Sequence, residues 1–186
     1  MSTAVWIAIA AVAVVVVVLL VAFTLASRRR HRRARLQERF GPEYDRAMDA
    51  SDNPRAAEVE LQSRADRRDR LELHDLEPSQ REIYRGRWVG IQTSFVDDPA
   101  RALAAAGNLL EDAMKERGYP DGGTKDRIDL ISVDHPDIVP EYRRADETGS
   151  RGRTGAANTE ELRQALLSYR AVFERVVQPQ RAEASR

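Results

Sequence analysis

The chain has 186 residues, 30 of them basic and 30 acidic, and no cysteine. Without cysteine, disulfides, zinc–cysteine sites and thiol catalysis are all excluded. All 30 acidic residues lie at or beyond Glu38 while six arginines precede it; an acidic domain behind a basic stretch argues against nucleic acid, which needs a basic face on the domain itself.

Ala4 to Ala26 is an uncharged run, followed at once by Arg28, Arg29, Arg30, Arg32, Arg33 and Arg35. As a helix the run would reach roughly 34 Å, against roughly 30 Å of bilayer hydrocarbon. A cleaved signal peptide fits less well. Met-Ser-Thr supplies no basic n-region, the apolar stretch is too long, and Leu25-Ala26-Ser27 is a poor cleavage signal. The expectation is therefore a retained transmembrane helix over 1–27. Flanking positive charge stays cytoplasmic, so the N-terminus is expected outside and the C-terminal domain inside. Trp6 stands where an interfacial aromatic would, and the run has neither an ionisable residue nor a glycine, so neither a transport path nor Gly-xxx-Gly pairing is indicated. The arginines are read first as setting topology and second as attracting anionic headgroups. His31 is read as a solvated member of that basic run.

From Arg28 to Phe40 the chain is expected to continue as helix, to break at Gly41-Pro42, and to form a short helix through Ala50 with Tyr44 and Met48 on one face. Asn53-Pro54 is the next start signal. The following helix, to about Leu73, carries Glu60/Arg64 and Asp66/Arg70 at i,i+4 and only a thin apolar stripe of Val59, Leu61, Ala65 and Leu71. It reads as a solvated arm or one edge of a bundle. Together 28–77 are taken as a basic juxtamembrane segment and charged helical arm.

Composition changes near Pro78. Ser79-Gln80-Arg81-Glu82 matches a capping box, and the helix after it spaces Tyr84, Trp88, Ile91 and Phe95 along one face. Asp98-Pro99 caps a helix with Leu103, Ala106, Leu110 and Ala113 inward, ending at Gly118. A turn-rich loop to Thr124 precedes a short helix over 126–133 with Ile128 and Ile131 buried. After Asp134-His135-Pro136 a further helix is expected to about Glu147, with Val139 and Tyr142 inward and Pro140 in its first turn or bending it. Gly149 to Ala157 reads as a flexible linker. Asn158 or Thr159 then caps a last helix whose stripe is Leu162, Leu166, Tyr169, Phe173 and Val176. No alternating strand pattern appears. The expected fold is all-α: a single N-terminal transmembrane helix, the arm, a small helical bundle over 78–178, and a disordered tail at 179–186.

Candidate chemistry is sparse. Asp134-His135-Pro136-Asp137 is the one place where a histidine sits between carboxylates, which could make His135 a general base or metal ligand oriented by Asp134 or Asp137. The plainer reading has Asp134 capping the coming helix and Pro136 in its first turn. His31 and His74 lie in other segments, without metal-site spacing. Gly118 to Lys125 lacks the Gly-x4-Gly-Lys-Ser/Thr order and the preceding strand of a phosphate loop. Asp97-Asp98 is read as a helix cap rather than a carboxylate pair, Tyr84, Trp88 and Phe95 as core rather than the lining of a ligand or peptide groove, and Arg151 and Arg153 as part of a mobile segment.

Arg39-Phe40-Gly41-Pro42-Glu43-Tyr44-Asp45-Arg46, Arg87-Trp88, Phe95-Val96-Asp97-Asp98-Pro99 and Arg117-Gly118-Tyr119-Pro120 occur together here. So do Ser132-Val133-Asp134-His135-Pro136, Tyr142-Arg143 and Thr159-Glu160-Glu161-Leu162-Arg163. As a set, spanning Arg35 to Val177, they resemble a family of uncharacterised actinobacterial membrane or secreted proteins. The abundance of arginine over lysine, of which there are only Lys115 and Lys125, fits the GC-rich genomes that resemblance implies. It implies no activity and no site residue. The expected function is a single-pass, membrane-anchored interaction or scaffolding module without catalytic residues, cofactor or metal, whose partners are the bilayer and an unidentified protein. The alternative is a membrane-tethered hydrolase or metal-dependent enzyme using His135.

Overall fold

In the computed structural model, residues 3–179 are described, with the side chains of 3–15, 18, 25 and 29 outside that description. Every regular element among them is helical: α1 Thr3–Phe40, α2 Pro42–Asp49, α3 Pro54–Asp69, α4 Pro78–Ser94, α5 Pro99–Glu116, α6 Thr124–Asp134, α7 Val139–Arg153 and α8 Thr159–Val177, with a 3-10 turn at Pro136–Ile138. Among the described residues no helix is long and apolar enough to cross a membrane. More than half of the side chains of the uncharged run lie outside them, as does the expected tail from residue 180 on.

Proline opens α2, α3, α4 and α5. Its fixed φ suits the first helical position and its missing N–H would have no intrahelical acceptor there. Asn53 accepts from the N–H groups of Arg55 and Ala56 at 3.1 and 3.4 Å. Asp98 accepts from Arg101 N–H at 3.0 Å, so of the two aspartates it is Asp98 that caps α5. Asn158 and Glu161 exchange bonds at 2.9 and 2.8 Å. The capping box expected at Ser79–Glu82 sits two residues earlier: Glu77 is the cap and its N–H donates to Gln80 Oε1 at 3.0 Å. Pro78 takes the first position, so Ser79 already lies inside the helix.

The main core joins α4, α5, α6, α7 and α8 through Trp88, Leu103, Leu110, Ile131, Val139, Tyr142, Phe173 and their neighbours. Trp88 stacks on Phe173 with centroids 4.8 Å apart. Tyr84 is buried with them and Phe95 half-buried against them. A second apolar cluster gathers Leu36 and Phe40 of α1, Tyr44 of α2, Leu61 and Ala65 of α3 and Val133 of α6. The charged arm is thus an edge with its own buried seam, although Val59 points outward at 65% exposure. Helix α3 stops at Asp69, short of the expected Leu73, and 70–77 form a non-helical connector.

One element departs furthest from expectation. The flexible linker placed at Gly149–Ala157 is largely helix, because α7 continues to Arg153. Gly149 and Gly152 lie on the buried face of α7. A Cβ on Gly152 would stand 2.8 Å from Leu162 Cδ2, and one on Gly149 within 3.9 Å of Tyr169 and Leu103. Helix propensity disfavours glycine by about 1 kcal/mol, but here its bareness lets α7 approach α8 and α5 closely. Arg151, expected in the mobile segment, forms an ion pair with Glu161 of α8. The turn itself shrinks to Thr154–Asn158, where Gly155 takes a φ of 71°.

Candidate functional site

Among the described residues, a network of buried charges lies where α2, α3, α6 and α7 meet. Glu43, on the first turn of α2, is 3% exposed. It accepts from Arg46 Nε and Nη2 at 2.9 and 3.0 Å and from Arg143 Nη2 of α7 at 2.6 Å. Arg64 of α3 stands 3.6 Å from the same carboxylate. Arg64 also reaches Asp129 of α6 at 2.8 Å and Glu60 at 3.2 Å. Asp129, 1% exposed, takes a further bond from Lys125 Nζ at 2.6 Å. Cations and carboxylates alternate through the cluster, so each buried charge faces its opposite, which the low dielectric requires.

Burial pushes the Glu43 carboxyl upward, but the Arg46 hydrogen bonds and the Arg143 charge together outweigh it. The net pKa lies below the ordinary carboxylate value. Such a group stays ionised and saturated with donors, which suits it to locking helices together and not to proton transfer near neutrality. A pH dependence follows. The stability that Glu43 contributes is complete above its unfolded pKa and lost as pH falls through the lowered folded value. The urea midpoint is expected to hold from pH 7 to about 5 and to fall on further acidification. Glu43→Gln should flatten part of that fall.

The histidine segment is built differently from the sequence reading. Asp134 ends α6 and its carboxylate accepts from Arg68 Nε, so it does not cap the next turn. Asp137 pairs with Arg175 of α8. His135 is buried, 5% exposed, between α6 and the 3-10 turn. Among the described residues no group of three or more histidine, aspartate or glutamate side chains is placed to hold a metal. In the Gly118–Lys125 loop, Gly122 carbonyl accepts from Arg127 while Lys125 turns to Asp129. Arg127 also faces Glu111 at 3.2 Å, so the loop's positive groups are engaged within the fold.

A groove lies between α4 and α8, with a cavity volume of about 280 Å³; Trp88, set by its helical spacing in the core, is buried and also lines this groove. The Trp88–Phe173 stack forms its wall, with Arg85, Gln92, Arg170 and Glu174 around it. The indole Nε1–H of Trp88 is buried without a hydrogen-bond acceptor among the described residues. Val89 at its rim is 60% exposed, Ile83 on the same helix 62%, and Val96 in the turn after α4 85%. Their signal in the sequence was faint, since they fall off the apolar stripe that marks the core.

No family model matches the chain, nor does any curated protein or solved structure.

Proposed function

We propose that the chain is a single-pass membrane protein that presents an acidic helical domain to the cytoplasm as a protein-interaction or scaffolding module, without catalysis of its own. The observation that carries this reading is the continuity of α1. One helix, Thr3–Phe40, holds the uncharged run, the arginine cluster and, at its end, the core residues Leu36 and Phe40. An apolar segment joined in this way would orient the domain against the bilayer with no hinge between them. The arginines immediately after the run favour the cytoplasmic side. Aliphatic side chains left exposed on α4, at Ile83 and Val89, and in the turn that follows it, at Val96, support contact with another protein. The resemblance to actinobacterial membrane or secreted proteins agrees with an anchored chain.

The test is topological. The chain has no cysteine, and Ser150 is exposed on α7. With Ser150→Cys expressed in intact cells, a membrane-impermeant maleimide is expected to label only after lysis. Labelling of intact cells would place the domain outside and overturn the charge argument.

A further inference from the structure

The arginine cluster is contiguous in sequence, but the fold adds to it from elsewhere. After Gly41, whose φ is 46°, α2 doubles back along α1, and α3 then runs parallel to α1. The pairs Arg33–Glu58 at 3.9 Å and Arg39–Asp69 at 2.6 Å fix that direction. The first turn of α3 is thereby returned to the level of Arg30 to Arg33. Arg55 joins Arg30, Arg32 and Arg33 around a groove of about 420 Å³ whose only carboxylate is Glu58. Glu58 is already engaged, 3.1 Å from Tyr44 Oη, which itself accepts from Arg33 Nε at 3.0 Å. A neighbouring groove of about 640 Å³ adds Arg28, His31 and Arg35, with Asp66 and Gln62 opposite. Asp66 accepts from Gln62 Nε2 at 2.8 Å.

Arg30, Arg32, Arg35 and Arg55 are exposed and have no ion pair with any described residue. Elsewhere most arginines are paired, among them Arg39, Arg46, Arg64, Arg68, Arg87, Arg117, Arg127, Arg143 and Arg151; Arg70, Arg101 and Arg153 are exposed without an ion pair to a described residue, but they stand apart on three different segments. Unpaired guanidiniums converging from two helices offer forked donors matched to phosphate oxygens.

We propose that the α1–α3 groove, with Arg55 and Arg30 on its two walls and Arg32 between the two grooves, binds a phosphate-bearing anion, and that its source is the headgroup of an acidic lipid. The lipid source rests on the membrane reading above, because only an inserted apolar run brings this end of α1 and α3 to the headgroup layer. A merely diffuse attraction would follow the number of arginines near the surface. A formed groove depends on Arg55, which is remote in sequence from the others.

The experiment uses the full chain in nanodiscs of phosphatidylcholine alone or with one third phosphatidylglycerol, followed by thermal unfolding. Phosphatidylglycerol is expected to raise the Tm of the wild type by about 3–6 °C. The double variant Arg30→Gln/Arg55→Gln should lose most of that rise, while Arg101→Gln, far from the groove on α5, keeps it. Equal Tm in both discs, or a rise unchanged in the double variant, overturns the groove. Millimolar inorganic phosphate added to the phosphatidylcholine discs distinguishes the sources. A rise comparable to that from the lipid shows a site for free phosphate and overturns the lipid source alone; no rise supports the headgroup. A chain that does not co-elute with discs overturns the membrane reading. The phosphate titration of that free chain, wild type against the double variant, then decides the groove separately.

Discussion

Replacing Glu43 by alanine is expected to cost about 3–5 kcal/mol, the range for removing one partner of a buried ion pair. The carboxylate holds Arg46 and Arg143 directly and Arg64 at longer range, from three different helices. Its loss leaves Arg143 with no other ion-pair partner among the described residues, and Arg64 retains Asp129 and Glu60. The Tm of a domain this size should drop by about 10 °C or more. Urea unfolding followed by tryptophan fluorescence measures the loss, and Asp69→Asn is the control. Asp69 makes a bidentate bond with Arg39 at 2.6 and 3.0 Å, yet both side chains are substantially exposed, so its removal should cost under about 1 kcal/mol. A Glu43→Ala effect no larger than that of Asp69→Asn would mean that the buried cluster is no lock. Hydrogen exchange locates the effect. Because Glu43 ties α2 to α7, amides of α2 and α3 should exchange faster in the variant well before those of α5 and α8.

What the sequence made legible, and what it hid, divides along a physical line. Helix starts were local: Pro42, Pro54 and Pro99 each act through their own φ and their own missing N–H, so the neighbouring cap residues are enough to place them. The stripe from Leu162 to Val176 was equally readable, since all five residues are buried on one face. Charge was misread wherever its partner is distant. Glu60 and Arg64 do form the expected i,i+4 pair at 3.2 Å, but Arg64 also crosses to Asp129, 65 positions away, and nothing in the spacing of α3 announces that. Asp134 looked like a cap because a proline follows two residues later; its real partner is Arg68. Gly149 and Gly152 have two opposite uses, a loose joint or a tight helix contact, and only the position of Leu162 and Tyr169 tells which. The groove of Arg30 and Arg55 was hidden for the same reason. The basic run was plain, but the return of α3 to its side depends on the turn at Gly41 and the seam of Leu36, Phe40 and Leu61.

Arg117→Ala is expected to be as damaging as any apolar deletion in the core, at about 3–5 kcal/mol. The side chain is 1% exposed. Its Nη1 donates to the carbonyl of Val176 at 2.8 Å and its Nε to that of His74 at 3.2 Å, with Asp75 Oδ1 at 3.4 Å. Val176 lies in the last turn of α8, where carbonyls lack intrahelical donors and a cation meets the negative end of the helix dipole. The backbone of Arg117 works alongside its side chain, since its carbonyl accepts from His74 N–H at 3.1 Å. One residue at the end of α5 therefore fastens both the 70–77 connector and the C-terminus of α8. The following Gly118 makes that approach possible: its φ is 96°, and a Cβ there would stand 2.9 Å from the carbonyl oxygen of Glu72. Alanine at 117 would remove the donors to the buried carbonyl of Val176 and the partly buried carbonyl of His74, beside a cavity the size of the lost side chain. Arg117→Met refills the space but not the bonds, so its measured loss should fall between wild type and alanine and isolate the hydrogen-bond contribution. If methionine restored full stability, packing alone would explain the burial, and the fastening role of the guanidinium would be lost. If it destabilises by about half the alanine value or more, the carbonyls of Val176 and His74 are what the arginine is there to satisfy.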